Sequence, residues 1–384
     1  MRRVNKSCYG CASCACVCPM NAIEMKFDED GFYAAFKNDA CIDCGLCERH
    51  CISIQDAATP LSKTEVFASE PRDRRAVAGS SSGGLAHLLA LQAIRSNKRV
   101  FGCSYDTDLP GARHVCVDSQ EGLQRIQGSL YLMSNFSGLK DFIDDTESGA
   151  IFGTPCQIAG AHAALVKMRR REDYLLVDIF CHGVPSQIAW TRHLKFLERM
   201  REGAYRAIYR FRDGKKYILS GMLNDTSGGL IYNRPCGQDG FFRLFLQGSI
   251  FNKTCYSCPY RRSSLADIRL GDLAIGDYLK LENPPSCVIA NTEAGVEALN
   301  SIAGSAAFKR IDYSVMDNVQ DKGTRSIPPE RNRILNELKS GKSPNELERK
   351  RILISALKTI GMSFVRKIAP RKDPVSSIYE VDEQ

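Results

Sequence analysis

The chain has 384 residues, a formal net charge of +8 and a hydrophobic fraction of 43%. Its length predicts two or three domains. Its moderate charge, without a basic motif interleaved with aromatic residues, argues against a nucleic-acid partner. No apolar run approaches the roughly 18 residues that span a bilayer. The first ten residues, MRRVNKSCYG, contain no apolar segment, so we expect no signal peptide. The seventeen cysteines are therefore expected as thiolates in a reducing cytoplasm.

A repeated cysteine spacing marks the N-terminal region. The pattern C-x2-C-x2-C-x3-C occurs at Cys8, Cys11, Cys14 and Cys18, and again at Cys41, Cys44, Cys47 and Cys51. In bacterial ferredoxins the fourth cysteine of each such run binds the other cluster. We therefore predict one [4Fe-4S] cluster on Cys8, Cys11, Cys14 and Cys51, and a second on Cys41, Cys44, Cys47 and Cys18. Two zinc sites are the alternative, which the third cysteine of each run disfavours. Ile52 replaces the proline expected after the second run, and Cys16, outside the pattern, is predicted to be a buried thiol.

The segments around these motifs predict a small module with a boundary after it. Between the two runs, IEMKF and FYAAF flank an Asp-Gly step within residues 28–31, which predicts a β-hairpin. Residues 53–75 are polar and contain two prolines, which indicates the first domain boundary. We therefore expect a ferredoxin-type domain over residues 1–58.

A loop of small residues precedes the next predicted helix. The sequence GSSSGG at residues 79–84 leads into LAHLLALQAIR, whose apolar residues recur with helical spacing, and RVFGCSYD then predicts a strand. A small-residue loop at a helix N-terminus suits a phosphate or the edge of a flavin. A serine N-cap with flexible glycines explains the loop equally well.

Two apolar runs, GAIFG and YLLVDIF, are each followed by a turn and a predicted helix. This alternation predicts parallel strands with crossover helices. Cys156 and Cys181 follow the carboxyl ends of these strands, where open α/β sheets bind ligands. Each of these two cysteines alone is as well explained as a small buried residue.

Cys255 and Cys258 form a C-x-x-C pair, which alone is typical of a redox dithiol or half a zinc site. Together the four supply the thiolates of a third [4Fe-4S] cluster. The remaining cysteines, Cys103, Cys116, Cys236 and Cys287, share no spacing and are predicted to be packing residues.

The last part of the chain is basic. Before it, AIYRFRDG and KYILSGML precede the aromatic segment FFRLFLQGSIF, which we predict to be a buried helix. Residues 341–372 contain nine Lys or Arg against two Glu, around the apolar periodic run ILISALKTIGMSFV. A basic amphipathic helix suits docking on an anionic membrane surface or on a partner. A helix packed on its own domain with a solvated charged face is the alternative that we favour.

Between about residues 75 and 320 the chain resembles the coenzyme F420 hydrogenase/dehydrogenase beta-subunit proteins. The motifs that carry the resemblance are GSSSGG, GSLYLMS, GTPCQIAG, DIFCHGVPS, FRDG, CYSCPY, ADIRLGD and ANTEAG. The resemblance implies a flavoprotein with FAD and an iron-sulfur cluster, which passes electrons between a deazaflavin or another hydride carrier and further clusters. It also implies cluster ligands at Cys156, Cys181, Cys255 and Cys258. The flavin contacts that it implies are Ser80, Ser81, Ser82, Gly83, Gly84, Gly128, Ser129 and Tyr131.

The expected fold is therefore multidomain, α+β and α/β, with a ferredoxin-type module before a mixed α/β flavin-binding domain. Residues 75–145 and 146–320 form the two parts of that domain, and residues 321–384 form a basic helical tail. The leading hypothesis is an electron-transfer oxidoreductase with a redox partner protein or a small hydride carrier. The alternatives are a non-catalytic electron-carrier or docking subunit, and a reductase of one metabolite such as a glycan precursor or a tetrapyrrole. We assign no catalytic acid or base, and interpret His87 and His182 as structural.

Overall fold

The computed structural model describes residues 2–54, 65–73, 79–106, 110–198, 206–213, 216–224, 230–273, 285–312 and 325–353, together with residues 314 and 357. The strands are β1 (Arg2–Arg3), β2 (Ile23–Phe27), β3 (Tyr33–Lys37), β4 (Glu65–Pro71), β5 (Arg99–Asp106), β6 (Gly111–Val117), β7 (Ser134–Asn135), β8 (Gly149–Gly153), β9 (Tyr174–Ile179), β10 (Arg206–Asp213), β11 (Lys216–Asn224), β12 (Leu230–Pro235), β13 (Ile268–Asp272), β14 (Ser286–Ala290) and β15 (Ala306–Arg310).

The α-helices are α1 (Ser13–Cys16), α2 (Leu46–Arg49), α3 (Leu85–Arg95), α4 (Leu139–Asp144), α5 (Pro155–Met168), α6 (Gln187–Glu198), α7 (Gly240–Leu246), α8 (Lys253–Tyr256), α9 (Glu293–Ser301) and α10 (Arg331–Lys339). Residues 344–353 are also helical. Short 3-10 helices lie at Glu121–Ile126, Arg171–Asp173, Cys236–Gln238 and Pro259–Arg261. No described helix combines the length and the apolar composition needed to cross a membrane.

The N-terminal domain is a small sheet with two one-turn helices. Strands β2 and β3 pair antiparallel, and β1 adds to the free edge of β3. Asp28 closes the hairpin, because its Oδ1 accepts hydrogen bonds from the backbone N–H groups of Asp30 and Phe32, both at 3.0 Å. The hairpin predicted from the Asp-Gly step is thus confirmed.

A nine-stranded mixed sheet forms the central domain, in the order β15-β4-β14-β13-β9-β8-β5-β6-β7. Strands β5, β8, β9 and β13 run parallel, as the alternation of apolar runs and helices predicts. Helices cover both faces of this sheet. Neighbouring residues of one strand point to opposite faces, so each strand packs against helices on both sides. On β8, Ala150 packs in the cluster that contains the buried residues of α3, while Ile151 packs against the buried face of α5.

Strand β4 lies inside the segment that its polar composition assigned to the linker. It pairs antiparallel with β14 on one side and β15 on the other, and Val66, Ala68 and Ser69 are buried. The central domain therefore begins no later than Glu65. The strand escaped the sequence analysis because its buried residues lie between Glu65 and Glu70, in a segment of polar composition.

A second core lies beside the sheet, around the fully buried Trp190 of α6. Phe241 and Phe242 of α7 pack there, so the buried helix predicted for the aromatic segment is confirmed. Leu335 and Leu338 of α10 complete this core. Part of the expected C-terminal tail thus packs into the central domain. Most of the basic run ILISALKTIGMSFV lies outside the described residues.

Candidate functional site

The first group of cysteines lines one cavity of the N-terminal domain. The cavity is lined by Cys8, Cys11, Cys14 and Cys51, together with Tyr9, Met25 and Ile52. Hydrogen-bond donors already point at two of the sulfurs. The Gly10 N–H lies 3.4 Å from Cys8 Sγ, and Asn5 Nδ2 lies 3.7 Å from Cys51 Sγ. Such donors to cysteine sulfur are among the features that set the potential of iron-sulfur clusters.

The second group lines a separate cavity, formed by Cys18, Cys41, Cys44 and Cys47 with Met20 and Ile42. The Ala22 N–H donates to Cys18 Sγ at 3.3 Å. Lys37 is buried in the wall of this cavity and donates to Glu48 at 2.9 Å. Cys44 is exposed, so this cavity opens to the surface.

The fourth cysteine of each run reaches the cavity of the other run. Cys51 stands with the first run, and Cys18 stands with the second. The structure thus divides the eight cysteines as the spacing predicts, and their role as cluster ligands stays a prediction. The surplus Cys16 is buried in the core between α1 and α5.

The third group is assembled from four separate points of the central domain. Cys156 is the second residue of α5, directly after β8, and Cys181 follows β9 by two residues. Cys255 lies in α8, and Cys258 precedes a 3-10 helix. Burial raises the pKa of the Cys156 thiol well above its usual value, and the nearby thiols of Cys258, Cys181 and Cys255 raise it further. The sheet and the loop after α7 therefore bring all four together.

The chemistry of this third group suits a metal cluster. Burial, together with the nearby Cys181 thiol, raises the pKa of Cys255 to about 12 and that of Cys258 to about 11. Four adjacent thiolates are stable in such a place only when a bound cation offsets their charge. Among the described residues, no three His, Cys, Asp or Glu side chains are arranged to bind a single metal ion. A [4Fe-4S] cube requires a different arrangement of ligands, because each of its irons binds one thiolate.

The N-terminal and central domains meet between the first and third cysteine groups. Gly160 lies one helical turn after Cys156 on α5. A Cβ at Gly160 would stand 2.8 Å from Cys11 Sγ and 2.9 Å from Cys11 O, so only glycine fits there without a shift. The same helix therefore carries a cysteine of the third group and contacts a cysteine of the first.

Two polar side chains complete this junction. Asn252 caps α8, because its Oδ1 accepts from the Thr254 N–H at 3.2 Å, and its Nδ2 donates to the carbonyl of Cys8 at 3.2 Å. The Tyr260 hydroxyl donates to the carbonyl of Ile52 at 3.0 Å, and its ring meets that of Tyr9 edge to face at 5.9 Å. Spacing rules gave no signal for these residues, although an asparagine before a short helix is a known N-cap.

The serine-glycine loop and the GSLYLMS segment also meet. Ser81 Oγ accepts a 2.7 Å hydrogen bond from the Ser129 N–H, and Gln127 Nε2 donates to Ser80 Oγ at 3.1 Å. Gly128 has φ +95° and stands within reach of the same loop. Among the described residues, no side chain caps α3 at Gly84. The first N–H groups of a helix lack carbonyl partners within it, so this N-terminus suits an anion.

Other residues of the expected flavin site have packing roles. A Cβ at Gly83 would lie 2.9 Å from the Ser286 nitrogen, and Gly84 has φ +79°. Tyr131 lies away from the loop contact, with its ring 5.3 Å from Phe242 and 5.2 Å from Phe245. The GSLYLMS segment nevertheless continues to the third group, because Gln157, next to Cys156, donates to Ser134 at 2.9 Å.

The two histidines near these sites differ in exposure. Burial lowers the pKa of His87, which is half-buried in the first turn of α3. His182 is exposed, and its carbonyl accepts a hydrogen bond from Arg261 at 3.4 Å. Of the other cysteines, Cys287 is buried in the cluster that contains Val66 and Ala68 of β4. Cys103 and Cys236 pack against the core around Trp190, and Cys116 packs against the core that contains Cys16.

Eight cysteines around two cavities, joined to an α/β domain with four more, define an iron-sulfur protein of more than one domain. Residues 7–53 match the family model of the 4Fe-4S dicluster domain. Residues 146–313 match the family model for the C terminus of the coenzyme F420 hydrogenase/dehydrogenase beta subunit. The chain is thus similar to the coenzyme F420 hydrogenase/dehydrogenase beta subunit over residues 146–313, after an N-terminal region that matches the dicluster domain. This confirms the resemblance carried by its motifs.

A solved structure shares the fold. It is a chain of the F420-reducing [NiFe] hydrogenase complex from Methanosarcina barkeri, with a TM-score of 0.50 and 16% sequence identity. The match covers 76% of this chain and 94% of that chain. No curated protein sequence matches the chain.

Proposed function

We propose that this protein is an iron-sulfur flavoprotein oxidoreductase. It exchanges electrons between a flavin, where a hydride carrier or a reducible substrate reacts, and three [4Fe-4S] clusters. The observation that carries this proposal is an unbroken series of contacts between the proposed cofactor sites. Direct contacts connect the first cysteine group to the third across Gly160, Asn252 and Tyr260, and connect the third to the GSLYLMS segment beside the serine-glycine loop through Gln157.

The three cysteine groups would hold the clusters. Cys8, Cys11, Cys14 and Cys51 take the first, Cys18, Cys41, Cys44 and Cys47 take the second, and Cys156, Cys181, Cys255 and Cys258 take the third. When bound, a flavin supplies the exchange of a hydride for single electrons, which is the form that clusters carry. The chain's own contribution is to fix the relative positions of the sites and to limit the access of water to the partly buried third group.

The flavin would be FAD, bound where the serine-glycine loop meets Gly128 and Ser129. The uncapped N-terminus of α3 offers N–H groups and the positive end of the helix dipole to a phosphate. Ser81 holds the two loops together through its bond to the Ser129 N–H. We assign no acid or base, since no titratable side chain is placed against this loop by a described contact.

The partner and the carrier follow from the comparisons. The family model and the structural neighbour both name F420, so a deazaflavin of that kind is the first carrier to test. The neighbour belongs to a hydrogenase complex, and in this chain Cys44 opens the second cavity to the surface. We therefore propose that a redox partner protein docks near Cys44. Because twelve ligand thiols require a reducing compartment, we also propose a cytoplasmic location.

Anaerobic purification of the full chain tests this function. We expect about twelve irons per chain, four for each cluster, together with one flavin. Reduction of a dye by reduced F420, or by another hydride donor from a panel, should then require the flavin. About eight irons without flavin would instead favour a non-catalytic electron carrier.

A single substitution tests the flavin site. Ser81→Ala removes the acceptor of the Ser129 N–H and should release flavin while leaving iron content unchanged. Ser119→Ala is the matched control, since Ser119 makes a similar bond to the Gly122 N–H, at 3.2 Å, in a surface turn of the same domain. Equal flavin content in the two variants would show that the serine-glycine loop is not part of the flavin site.

A further inference from the structure

Hydrogen bonds to the sulfurs of the third cysteine group come from the backbone and from the Thr154 side chain. Burial raises the pKa of the Cys181 thiol, and a hydrogen bond from the backbone of Gly183 acts in the opposite direction. At Cys156 the donor is a side chain, because the Thr154 hydroxyl lies 3.4 Å from Cys156 Sγ. A hydroxyl can be removed by substitution, whereas a backbone N–H group cannot. Thr154 therefore allows the effect of one such bond to be measured.

Two arginines beside the same group make bonds to oxygen atoms. Arg269 forms a buried ion pair with Asp178, in which its Nε and Nη2 donate to the two carboxylate oxygens at 2.8 and 2.7 Å. It also donates to the carbonyl of Tyr260 at 3.0 Å. Arg261 donates to the carbonyl of Cys255 at 2.6 Å. These bonds hold the backbone around Cys255 and the loop that follows it in place.

Thr154 is the N-cap of α5 and is paired with Gln157. The Thr154 N–H donates to Gln157 Oε1 at 3.0 Å, and the Thr154 hydroxyl lies 3.0 Å from the same oxygen. On the other side of the amide, Nε2 of Gln157 donates to Ser134 Oγ at 2.9 Å. A backbone N–H can only donate, so the amide oxygen of Gln157 must face Thr154. The Gln157 side chain is therefore fixed in one orientation, and it is 5% exposed.

The Thr154 hydroxyl has one proton and two acceptors within reach, Gln157 Oε1 and Cys156 Sγ. In the free thiol either atom of the Thr154–Cys156 contact can be the donor. A thiolate bound to iron carries no proton, so only the hydroxyl can then donate. Hydrogen bonds to a charged acceptor are stronger than those to a neutral one. A bound cluster therefore draws the proton toward sulfur, and a reduced cluster draws it more strongly because each added electron adds one negative charge.

We propose that the Thr154 hydroxyl is a hydrogen-bond donor to the third cluster through Cys156, and that Gln157 is a positioning residue that competes for the same proton. This inference rests on the proposed function, because it assumes the third cluster. Hydrogen bonds to the sulfurs are among the features that set cluster potentials. A donor stabilises the more negative, reduced form. The Thr154 bond therefore raises the midpoint potential of the third cluster, and the amide oxygen of Gln157 limits that rise.

Variants of the full chain test the assignment. Thr154→Val removes the hydroxyl with little change of shape, and Thr154→Ser keeps it. Gln157→Met removes the competing acceptor and keeps the length of the side chain, and a double variant combines Thr154→Val with Gln157→Met. Thr146→Val is the matched control. It removes a hydroxyl that donates to the carbonyl of Phe142 at 2.6 Å, before β8 and thus at the opposite end of that strand from Thr154.

The measurement is the midpoint potential of each cluster, from spectra of samples poised at known potentials. The third cluster is identified by the signal that disappears in Cys156→Ser, and iron content is determined for every variant. In Thr154→Val we expect the ratio of reduced to oxidised third cluster to fall at least about threefold at a fixed potential, a shift of about 28 mV for one electron.

The other variants separate the hydrogen bond from a general effect on the fold. Gln157→Met should shift the ratio in the opposite direction, because the hydroxyl is then left with sulfur as its acceptor. The double variant should match Thr154→Val, because Gln157 acts through the hydroxyl. Thr154→Ser and Thr146→Val should stay near the wild-type values, and the other two clusters should not move in any variant.

An unchanged third midpoint in an iron-replete Thr154→Val protein would overturn the inference. A shift of both single variants in the same direction would also overturn it, because it would indicate that the start of α5 has loosened. If Thr154→Val loses its third cluster, Gln157→Met decides: a higher midpoint supports the inference, and an unchanged or lower one overturns it. With about twelve irons in the wild type, these results leave the proposed function standing, whereas about eight irons would remove the third cluster and the proposed function with it.

Discussion

The N-terminal domain and the central domain build their cysteine groups in opposite ways. The eight cysteines of the two N-terminal groups fall between Cys8 and Cys51, and short loops and one-turn helices present them. In the central domain, Cys156 and Cys181 follow separate parallel strands, and Cys258 arrives from a distant loop. A local group is fixed by spacing, whereas the third group exists only once the sheet has formed.

The surroundings of the two kinds of group differ in the same way. The backbone N–H groups directed at N-terminal sulfurs come from nearby residues, such as Gly10 for Cys8 and Ala22 for Cys18. The third group is held by a buried ion pair between β9 and β13, at Asp178 and Arg269. Damage to the central fold should therefore disturb the third group before the other two.

Cys156→Ser is expected to have the largest effect. It should remove about four irons per chain and leave about eight, because each cluster needs four thiolates. Iron analysis and low-temperature spectra give the measurement. Cys18→Ser is the matched variant, and it should remove the cluster held by Cys41, Cys44 and Cys47. Loss of all iron from Cys156→Ser would show that the groups are not independent.

Thiol labelling of the iron-free chain should separate the exposed Cys44 from the partly buried cysteines of the third group. With pKa values of about 12 for Cys255 and about 11 for Cys258, about one Cys258 in a thousand is a thiolate at pH 8, and alkylation requires the thiolate. The exposed Cys44 should therefore be labelled far sooner, as followed by mass spectrometry.

The pH dependence gives the check on this labelling. Burial keeps both central thiols protonated above the pH at which free cysteine ionises, so their labelling should rise about tenfold per pH unit up to pH 11. Rapid labelling of Cys255 at pH 8 would show that the third group is open to water without its metal.

Gly160→Ala should loosen the contact between the domains. The new Cβ would meet Cys11, so we expect a loss of about 1–3 kcal/mol from overpacking, partly offset by about 1 kcal/mol of helix propensity. Thermal unfolding of the loaded protein and the rate at which the first and third clusters equilibrate give the measurements. Gly304→Ala is the control, since no atom lies within 4 Å of a Cβ there. Equal behaviour of both variants would contradict the close contact.

Tyr260→Phe should have the smallest effect. It removes the hydrogen bond to Ile52 and keeps the ring contact with Tyr9, so about 1 kcal/mol of docking is expected to be lost. Amide exchange of residues 2–54 should rise. Tyr256→Phe removes a similar hydroxyl bond to Gly248 within the central domain. It should lower stability without changing exchange in the N-terminal domain, and the comparison fails if the two variants behave alike.

Much of the fold could be predicted from the sequence wherever a signal was local. The helix over Leu85–Arg95 and the hairpin between Ile23–Phe27 and Tyr33–Lys37 formed where periodicity and turn residues placed them. Strand β4 was missed, since its few apolar residues lie between charged ones in a polar segment. The packing of α10 into the second core was also missed, because its partners lie on α6 and α7.

The sequence by itself determined the two N-terminal cysteine groups, because the spacing within each run limits which sulfurs can face one cavity. It also suggested the third set, by counting thiols at strand ends. Only the tertiary structure decided that Gly160 and Asn252 join the domains, and that Arg261 and Arg269 lie beside the third group. These residues are far apart along the chain, and their contacts depend on how strands pair and helices pack, which no local pattern records.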